Sequence, residues 1–350
     1  MRNWRDHAIA AGFAGFRATG LHRLLAPLTR GRGAILMFHH VRPFGGQVFA
    51  PNRLLEITPE FLDSLIIRLK AQGFDIISLD AALVRLAVSR QAGEKPFIVL
   101  TFDDGYRDNR QFALPVLRRH DAPFTLYITT GFAERTARLW WSELEEAVRR
   151  LDVFEVDGPG GRQRFQCRTG AEKTRAFDAT YWLLRGQGEA ALLASIARLC
   201  IEAGIDGGAL VAAACMDWAE IAAMAGEPLC TLGVHTLTHP RLAKLELSSA
   251  RAEMAESRAL IEARIGRSAR HFSYPVGDRT SAGEREFSLA TELGFASAVT
   301  TRPGMVLQAH DARRLALPRV SINGKWQNLA MIDVLLSGAP FALLNRGQAG

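Results

Sequence analysis

No apolar run of 18 residues occurs in this 350-residue chain, so a membrane-spanning helix is not expected. Cysteine is scarce. Cys167, Cys200, Cys215 and Cys230 show no paired metal-binding spacing, and their apolar, helix-like surroundings read as buried thiols and not as a disulfide framework. No internal repeat or low-complexity tract is evident. Basic charge, although the net value is +7, is also missing from most of the chain. Residues 1–33 hold Arg2, Arg5, Arg17, Arg23, Arg30 and Arg32 against Asp6, which is +5 and leaves +2 for the other 317 residues. A polyanion-binding surface, and with it nucleic-acid binding, is therefore not indicated. What is present in quantity is apolar residue, at 48%, ample for one large core or two.

The basic excess sits in one amphipathic segment. Ile9, Phe13, Phe16, Leu21, Leu24, Leu25 and Leu28 recur at helical spacing with arginines between them. Such a segment can lie on an anionic membrane surface, or pack on the body with its charges in water; the periodicity serves both. Residues 8–16 form a short apolar run after Arg2 and Arg5, but Asp6 and His7 interrupt the charged region and no small-x-small cleavage site follows. The expectation is a cytoplasmic protein, at the inner face of the membrane if the segment docks there, and not one exported through a signal peptide.

The chemistry-bearing residues stand in two clusters. Residues 96–102 are a strand-like apolar run ending in Thr101-Phe102-Asp103-Asp104-Gly105-Tyr106, and 129 residues after Tyr106 comes His235-Thr236-Leu237-Thr238-His239. A buried strand ending in two carboxylates and a glycine delivers acids to the rim of a barrel or sheet. Two histidines four apart can point at one metal from a turn or tight loop. One carboxylate with two histidines makes a three-ligand site with open positions, the kind that activates water, and the spare carboxylate can serve as the base beside it. Taken alone, Asp-Asp-Gly would read as a capped turn. Thr236 follows the first histidine where a thermolysin-like pair carries glutamate. A non-haem iron oxygenase would use the same ligand types, but it has no need of the spare acid.

With Phe272-Ser273-Tyr274-Pro275-Val276-Gly277 as a third motif, the chain resembles the polysaccharide deacetylases, the NodB-like carbohydrate esterases that remove N-acetyl groups from glycans. The order and spacing of the three motifs agree over residues 34–325. The resemblance implies Asp103 as general base, Asp104, His235 and His239 as ligands of one divalent metal ion, zinc by type, and Tyr106, Tyr274, Pro275 and Gly277 as the lining of the substrate and oxyanion site. Two departures matter. Ser273 stands where the commonest family form has an arginine that buttresses the base, and Arg319, from another strand end, is the candidate to replace it. Residues 315–322 contain no histidine to protonate the leaving amine, whereas Phe38-His39-His40-Val41 resembles the N-terminal motif of the poly-N-acetylglucosamine deacetylases. That makes His39 the acid and His40 a neighbour, against a core or turn role for the pair; His310 has no motif to place it.

The pattern around the motifs is α/β. Strands expected at 34–38, 75–78, 96–102, 124–129, 229–234, 270–273 and 295–299 alternate with helices from Thr58-Pro59-Glu60, from residue 80, and near 107–120, 248–265 and 283–293. The resemblance specifies a distorted, incomplete (β/α) barrel. Between 133 and 227 the alternation fails, and helices at 142–151, 171–184, 189–203 and 217–225 around a glycine-rich turn at 157–161 read as a helical insertion beside the cleft. Trp140, Trp141, Tyr181 and Trp182 there suit sugar stacking or a small core. The organisation is thus a basic segment (1–33), a deacetylase domain (34–325) and a C-terminal helix and tail (326–350). The expected activity is metal-dependent removal of N-acetyl groups from an N-acetylated glycan, with two rivals: hydrolysis of another amide such as an N-formyl group, and glycan binding without catalysis.

Overall fold

The computed structural model describes residues 12–344, Ala14 apart. Ile9 of the expected apolar stripe, and Arg2 and Arg5, lie outside the described residues.

Seven parallel strands close into a barrel. In ring order they are β1 (Gly33–Phe38), β12 (Leu317–Ser321), β11 (Ser297–Pro303), β10 (His271–Ser273), β9 (Cys230–Val234), β6 (Phe124–Ile128) and β5 (Phe97–Phe102), and β5 returns to β1 with Gly33 opposite Phe97 and Phe38 opposite Phe102. A short β4 (Asp75–Ile76) lies against the start of β5. The strands close this way because they are apolar on both faces: all six residues of β1 and all six of β5 are buried, as continuous Val/Ile/Leu/Phe runs require when helices cover the outside. One face packs on the helices, where Leu36, Phe38, Leu100 and Phe102 join Leu65, Ile66 and Leu69 of the helix Pro59–Ala71. The other fills the barrel with Ile35, Val99, Tyr127, Val299 and Leu317. Thr58 caps the Pro59–Ala71 helix by accepting from the Phe61 N–H at 3.2 Å.

The segment between β6 and β9 is a helical insertion with its own core of Trp141, Leu144, Val148, Phe177, Leu192 and Ile196. Its helices span Trp140–Arg150, Gly170–Gly186, Glu189–Ala203, Gly207–Ala214 and Trp218–Ala225. The glycine-rich turn at 157–161 proves to be the bend of an antiparallel hairpin, β7 (Val153–Gly158) with β8 (Gly161–Gln166). β8 reads Gly-Arg-Gln-Arg-Phe-Gln and is exposed at nearly every position, so it lacks the alternation that marks a strand in sequence. The stretch expected as one helix near 107–120 is a wider π turn, Asn109–Ala113, followed by Leu114–Arg119.

The N-terminal helix Leu21–Thr29 packs beside the C-terminal helices Leu329–Leu336 and Ala339–Leu344; Thr29 Oγ1 donates to Ser337 O at 2.6 Å and Arg30 Nε to Leu336 O at 3.2 Å. Its inward face is His22 and Ala26, while Leu24 is 75% and Leu28 84% exposed. No helix among the described residues is long and apolar enough to cross a membrane.

Candidate active site

The site stands where strand ends turn sharply. The Asp103 N–H still donates to Phe38 O at 3.0 Å, continuing the β1–β5 ladder. The backbone then reverses through two left-handed residues, Asp104 at φ 72° and Gly105 at φ 71°. After β9 the loop that carries both histidines does the same, with Thr236 at φ 67° and His239 at φ 63°. Side-chain-bearing residues pay for that conformation, and such outliers gather where surrounding contacts enforce them. Here the enforcer is Glu253, on the helix Leu247–Ile265. Its Oε2 accepts from the Leu237 and Thr238 N–H groups at 2.9 Å each, and its Oε1 from Thr238 Oγ1 at 2.6 Å. The His239 N–H donates to Thr236 Oγ1 at 3.0 Å.

These turns bring Asp104, His235 and His239 together, with their ligand atoms within 4.8 Å of one another. Asp104 Oδ1 lies 3.4 Å from His235 Nε2 and 3.3 Å from His239 Nε2, and it is buried with no hydrogen-bond partner. A buried, unpaired carboxylate oxygen is costly unless a cation meets it. The His235 Nδ1–H donates to Ser273 O at 2.7 Å, which leaves the Nε2 lone pair facing Asp104. The three residues therefore fit a divalent metal ion. Burial raises the Asp104 carboxyl, but the two histidines more than offset it and hold the group well below the usual carboxylate range.

Asp103 faces a different neighbour. Arg319, fully buried on β12, donates from Nη1 to Oδ1 at 2.8 Å and from Nη2 to Oδ2 at 2.7 Å. The guanidinium is itself fixed through Nε to Thr300 O at 2.8 Å, Nη1 to Thr101 Oγ1 at 3.2 Å and Nη2 to Ser273 Oγ at 3.1 Å. The short side chain at Ser273 thus touches both partners, and the guanidinium arrives from β12. Against the penalty of burial, Arg319 and His235 bring the Asp103 carboxyl below its ordinary value.

His39, Asp103, Asp104, His235 and His239 line one cavity of about 350 Å³. Burial lowers the His39 imidazole, with Asp104 and Asp103 pulling the other way. His40 is not in that lining: its Nδ1 lies 2.6 Å from Asp108 Oδ2, and its ring stacks 3.5 Å from that of Tyr106. His310 is also elsewhere, with Nδ1 accepting from the Leu307 N–H at 2.8 Å.

The expected substrate lining needs correction. Tyr106 is fully buried between His40 and Trp141, whose Nε1–H donates to its hydroxyl at 3.3 Å. Tyr274 lies in the core with its hydroxyl on Leu315 O at 2.9 Å and its N–H on Val299 O at 3.1 Å. The Gly277 N–H is taken by Pro275 O at 2.7 Å, so neither amide is free for an oxyanion. Gly277, at φ 59°, is there for the turn: a Cβ would meet Thr301 N at 2.8 Å. Among these positions the cavity is lined instead by Val276 and Thr301. The insertion supplies Trp140, Trp141, Phe177, Tyr181, Trp182 and Arg185, facing the turn Pro51–Leu55. Tyr181 stacks 5.1 Å from Trp140, so the aromatic residues form core and cavity wall at once.

Residues 90–154 and 173–296 match the family model described as Polysaccharide deacetylase. A curated relative, a putative polysaccharide deacetylase YxkH of Bacillus subtilis, is 24% identical over 152 residues, 41% of this chain; the match spans half the length of that relative. Among solved structures, the Streptococcus pyogenes deacetylase PplD in complex with acetate is 18% identical, with a TM-score of 0.57 over 87% of this chain and 96% of that one. IcaB from Ammonifex degensii is 15% identical, with a TM-score of 0.53 over 86% and 96%. At such identities the structural likenesses speak for the fold alone.

Proposed function

Because the chain belongs to the polysaccharide deacetylase family, we propose that it hydrolyses the N-acetyl group of an N-acetylated sugar or glycan, of the chitooligosaccharide or poly-N-acetylglucosamine kind, in a metal-dependent reaction. The observation that carries this is the division of two adjacent carboxylates between two environments. Asp104 faces His235 and His239 with an unpaired oxygen, while Asp103 is gripped by Arg319. Asp104, His235 and His239 would hold a divalent metal, zinc by the type of its ligands, which when bound would supply Lewis-acid chemistry toward a carbonyl and water. Asp103, kept ionised and aimed by the guanidinium, accepts the proton of the attacking water. An amide cannot expel a free amide anion at neutral pH, and His39, in the same cavity, gives the departing nitrogen its proton. The aromatic wall keeps bulk water from the reacting atoms, which strengthens each of these interactions.

Acetate release from N-acetylglucosamine oligosaccharides, with and without chelator, tests this reading. Release that stops with chelator and returns with added zinc supports it. Activity confined to N-formyl sugars or to non-sugar amides would replace it with another hydrolase on the same site, and glycan binding without hydrolysis would replace it with a lectin-like role.

The N-terminal helix supports a proposal for the location of the activity. Leu21, Leu24 and Leu28 are exposed along one side of this helix among the described residues, and the basic excess of the sequence lies in residues 1–33. That combination suits an anionic membrane surface, and we propose glycan assembly at the inner face of a membrane as the setting of the reaction.

A further inference from the structure

The cavity that holds the site measures about 350 Å³, near the lower end of the roughly 300–1,000 Å³ of small-molecule pockets. Its floor is formed by the site residues, and its walls come largely from the insertion. That insertion is tied down at two separate points. Arg185 Nη2 donates to Asp278 Oδ2 at 2.9 Å, joining the helix Gly170–Gly186 to the segment after β10. Arg241 backs this tether from behind, with Nη1 on Arg185 O, Nη2 on Gln187 O at 2.8 Å and Nε on Glu189 Oε1 at 2.6 Å. The second tether is Asn52, in the turn Pro51–Leu55. Its Nδ2 donates to Trp141 O at 2.8 Å and its N–H to Glu145 Oε2 at 3.2 Å, both on the helix Trp140–Arg150. Asn52 follows β1 and β2 (His40–Val41), whereas Asp278 follows β10. β1 and β10 are not neighbours in the ring, so the two tethers hold the insertion to separate parts of the barrel mouth.

A glycan that presents an internal sugar must run out of the site in two directions. With the insertion held at both points and walling the cavity, a chain running out in two directions would have to displace it. Resting on the deacetylase reading above, we propose that the substrate enters end-on: the acyl group removed belongs to the terminal sugar of a chain or to a short oligosaccharide, and the insertion excludes internal units. Trp182 marks the mouth. It lines the cavity yet is 55% exposed, and the Arg185 guanidinium covers its ring at 5.2 Å. A half-exposed indole beside a tether is a platform for the second sugar.

The test uses wild-type protein loaded with zinc and a pentasaccharide of N-acetylglucosamine, with products located by mass-spectrometric sequencing. One acetate per chain, from a terminal unit, supports the proposal; acetate from internal units overturns it. Trp182→Ala should raise KM for the disaccharide and longer chains roughly two- to ten-fold, and by clearly more than it raises KM for the monosaccharide. An equal effect on the monosaccharide overturns the platform. If no acetate is released at all, the deacetylase reading fails, and saturation-transfer NMR on the same sample still decides the entry mode. Contacts confined to the terminal sugar support it, and contacts along the whole chain overturn it.

Discussion

Arg319 Nη1 and Nη2 meet the two carboxylate oxygens of Asp103 at 2.8 and 2.7 Å, and both residues are buried. This bidentate pair joins β12 to the end of β5 over the one strand between them, β1. A buried pair is close to neutral as a whole, yet removing one partner strands the other charge. Arg319→Leu should therefore destabilise the protein by about 3–5 kcal/mol, read as a lower urea midpoint. Burial alone raises the Asp103 carboxyl, and Arg319 is foremost among the groups that bring it below its ordinary value. The stability this contributes is present above the ordinary carboxylate pKa and is lost as pH falls through the lower folded value. Without Arg319 the carboxyl rises, so the acid limb of the pH–rate profile should move to higher pH. An unmoved limb in a folded variant would detach Asp103 from the role of base.

Removing one metal ligand should remove the metal. His239→Ala leaves Asp104 and His235, too few for a catalytic site with open positions. Elemental analysis should find about one divalent ion per chain in the wild type and little in the variant, with acetate release lost in parallel. Full metal content in His239→Ala would reject the ligand set.

Glu253 tests whether the strained loop needs its clamp. It holds the N–H groups of Leu237 and Thr238 while Thr236 and His239 sit at positive φ. Glu253→Ala should weaken metal affinity by roughly 10–100-fold, the scale for losing a group that orients ligands, while Glu253→Gln, which keeps one acceptor, should do less. Isothermal titration with zinc separates the two. Equal affinities in all three proteins would make the clamp irrelevant to the site.

The difference between Glu253 and the ligands it steadies shows what a sequence can reveal. Asp104, His235 and His239 are legible because metal chemistry demands particular residue types at short spacing. β1 and β5 are legible because strands buried on both faces leave unbroken apolar runs. Arg319 could be nominated because Ser273 leaves the third motif without its arginine. Glu253, Asn52, Arg185 and Asp278 are single polar residues whose partners lie far along the chain, and no periodicity singles them out. Tyr274 misleads for another reason: a motif names a residue without saying which way it faces, and here the ring turns into the core.

The exposed leucines make a separate prediction. Leu24 and Leu28 lie on the outer face of their helix, so Leu24→Glu with Leu28→Glu should leave the melting temperature almost unchanged. On vesicles rich in anionic lipid the pair should matter, since each buried leucine is worth about 1.5–3 kcal/mol. Flotation at low salt should show wild type bound and the double variant free. Equal binding would mean that this face does not enter the lipid.

His39 carries the sharpest chemical test, because its assignment depends on what leaves and not only on what attacks. If it protonates the departing amine, His39→Ala should slow hydrolysis of an N-acetyl sugar by about 10²–10⁴-fold, the range for general acid catalysis. An activated acetate ester has a leaving group that needs no proton, and its hydrolysis should fall far less. His40→Ala, which breaks the contact with Asp108 and the stack on Tyr106, should lower both rates together through the fold. Parallel losses on amide and ester in His39→Ala would assign it to the shape of the cavity, and the proton would then have to come from another group lining it.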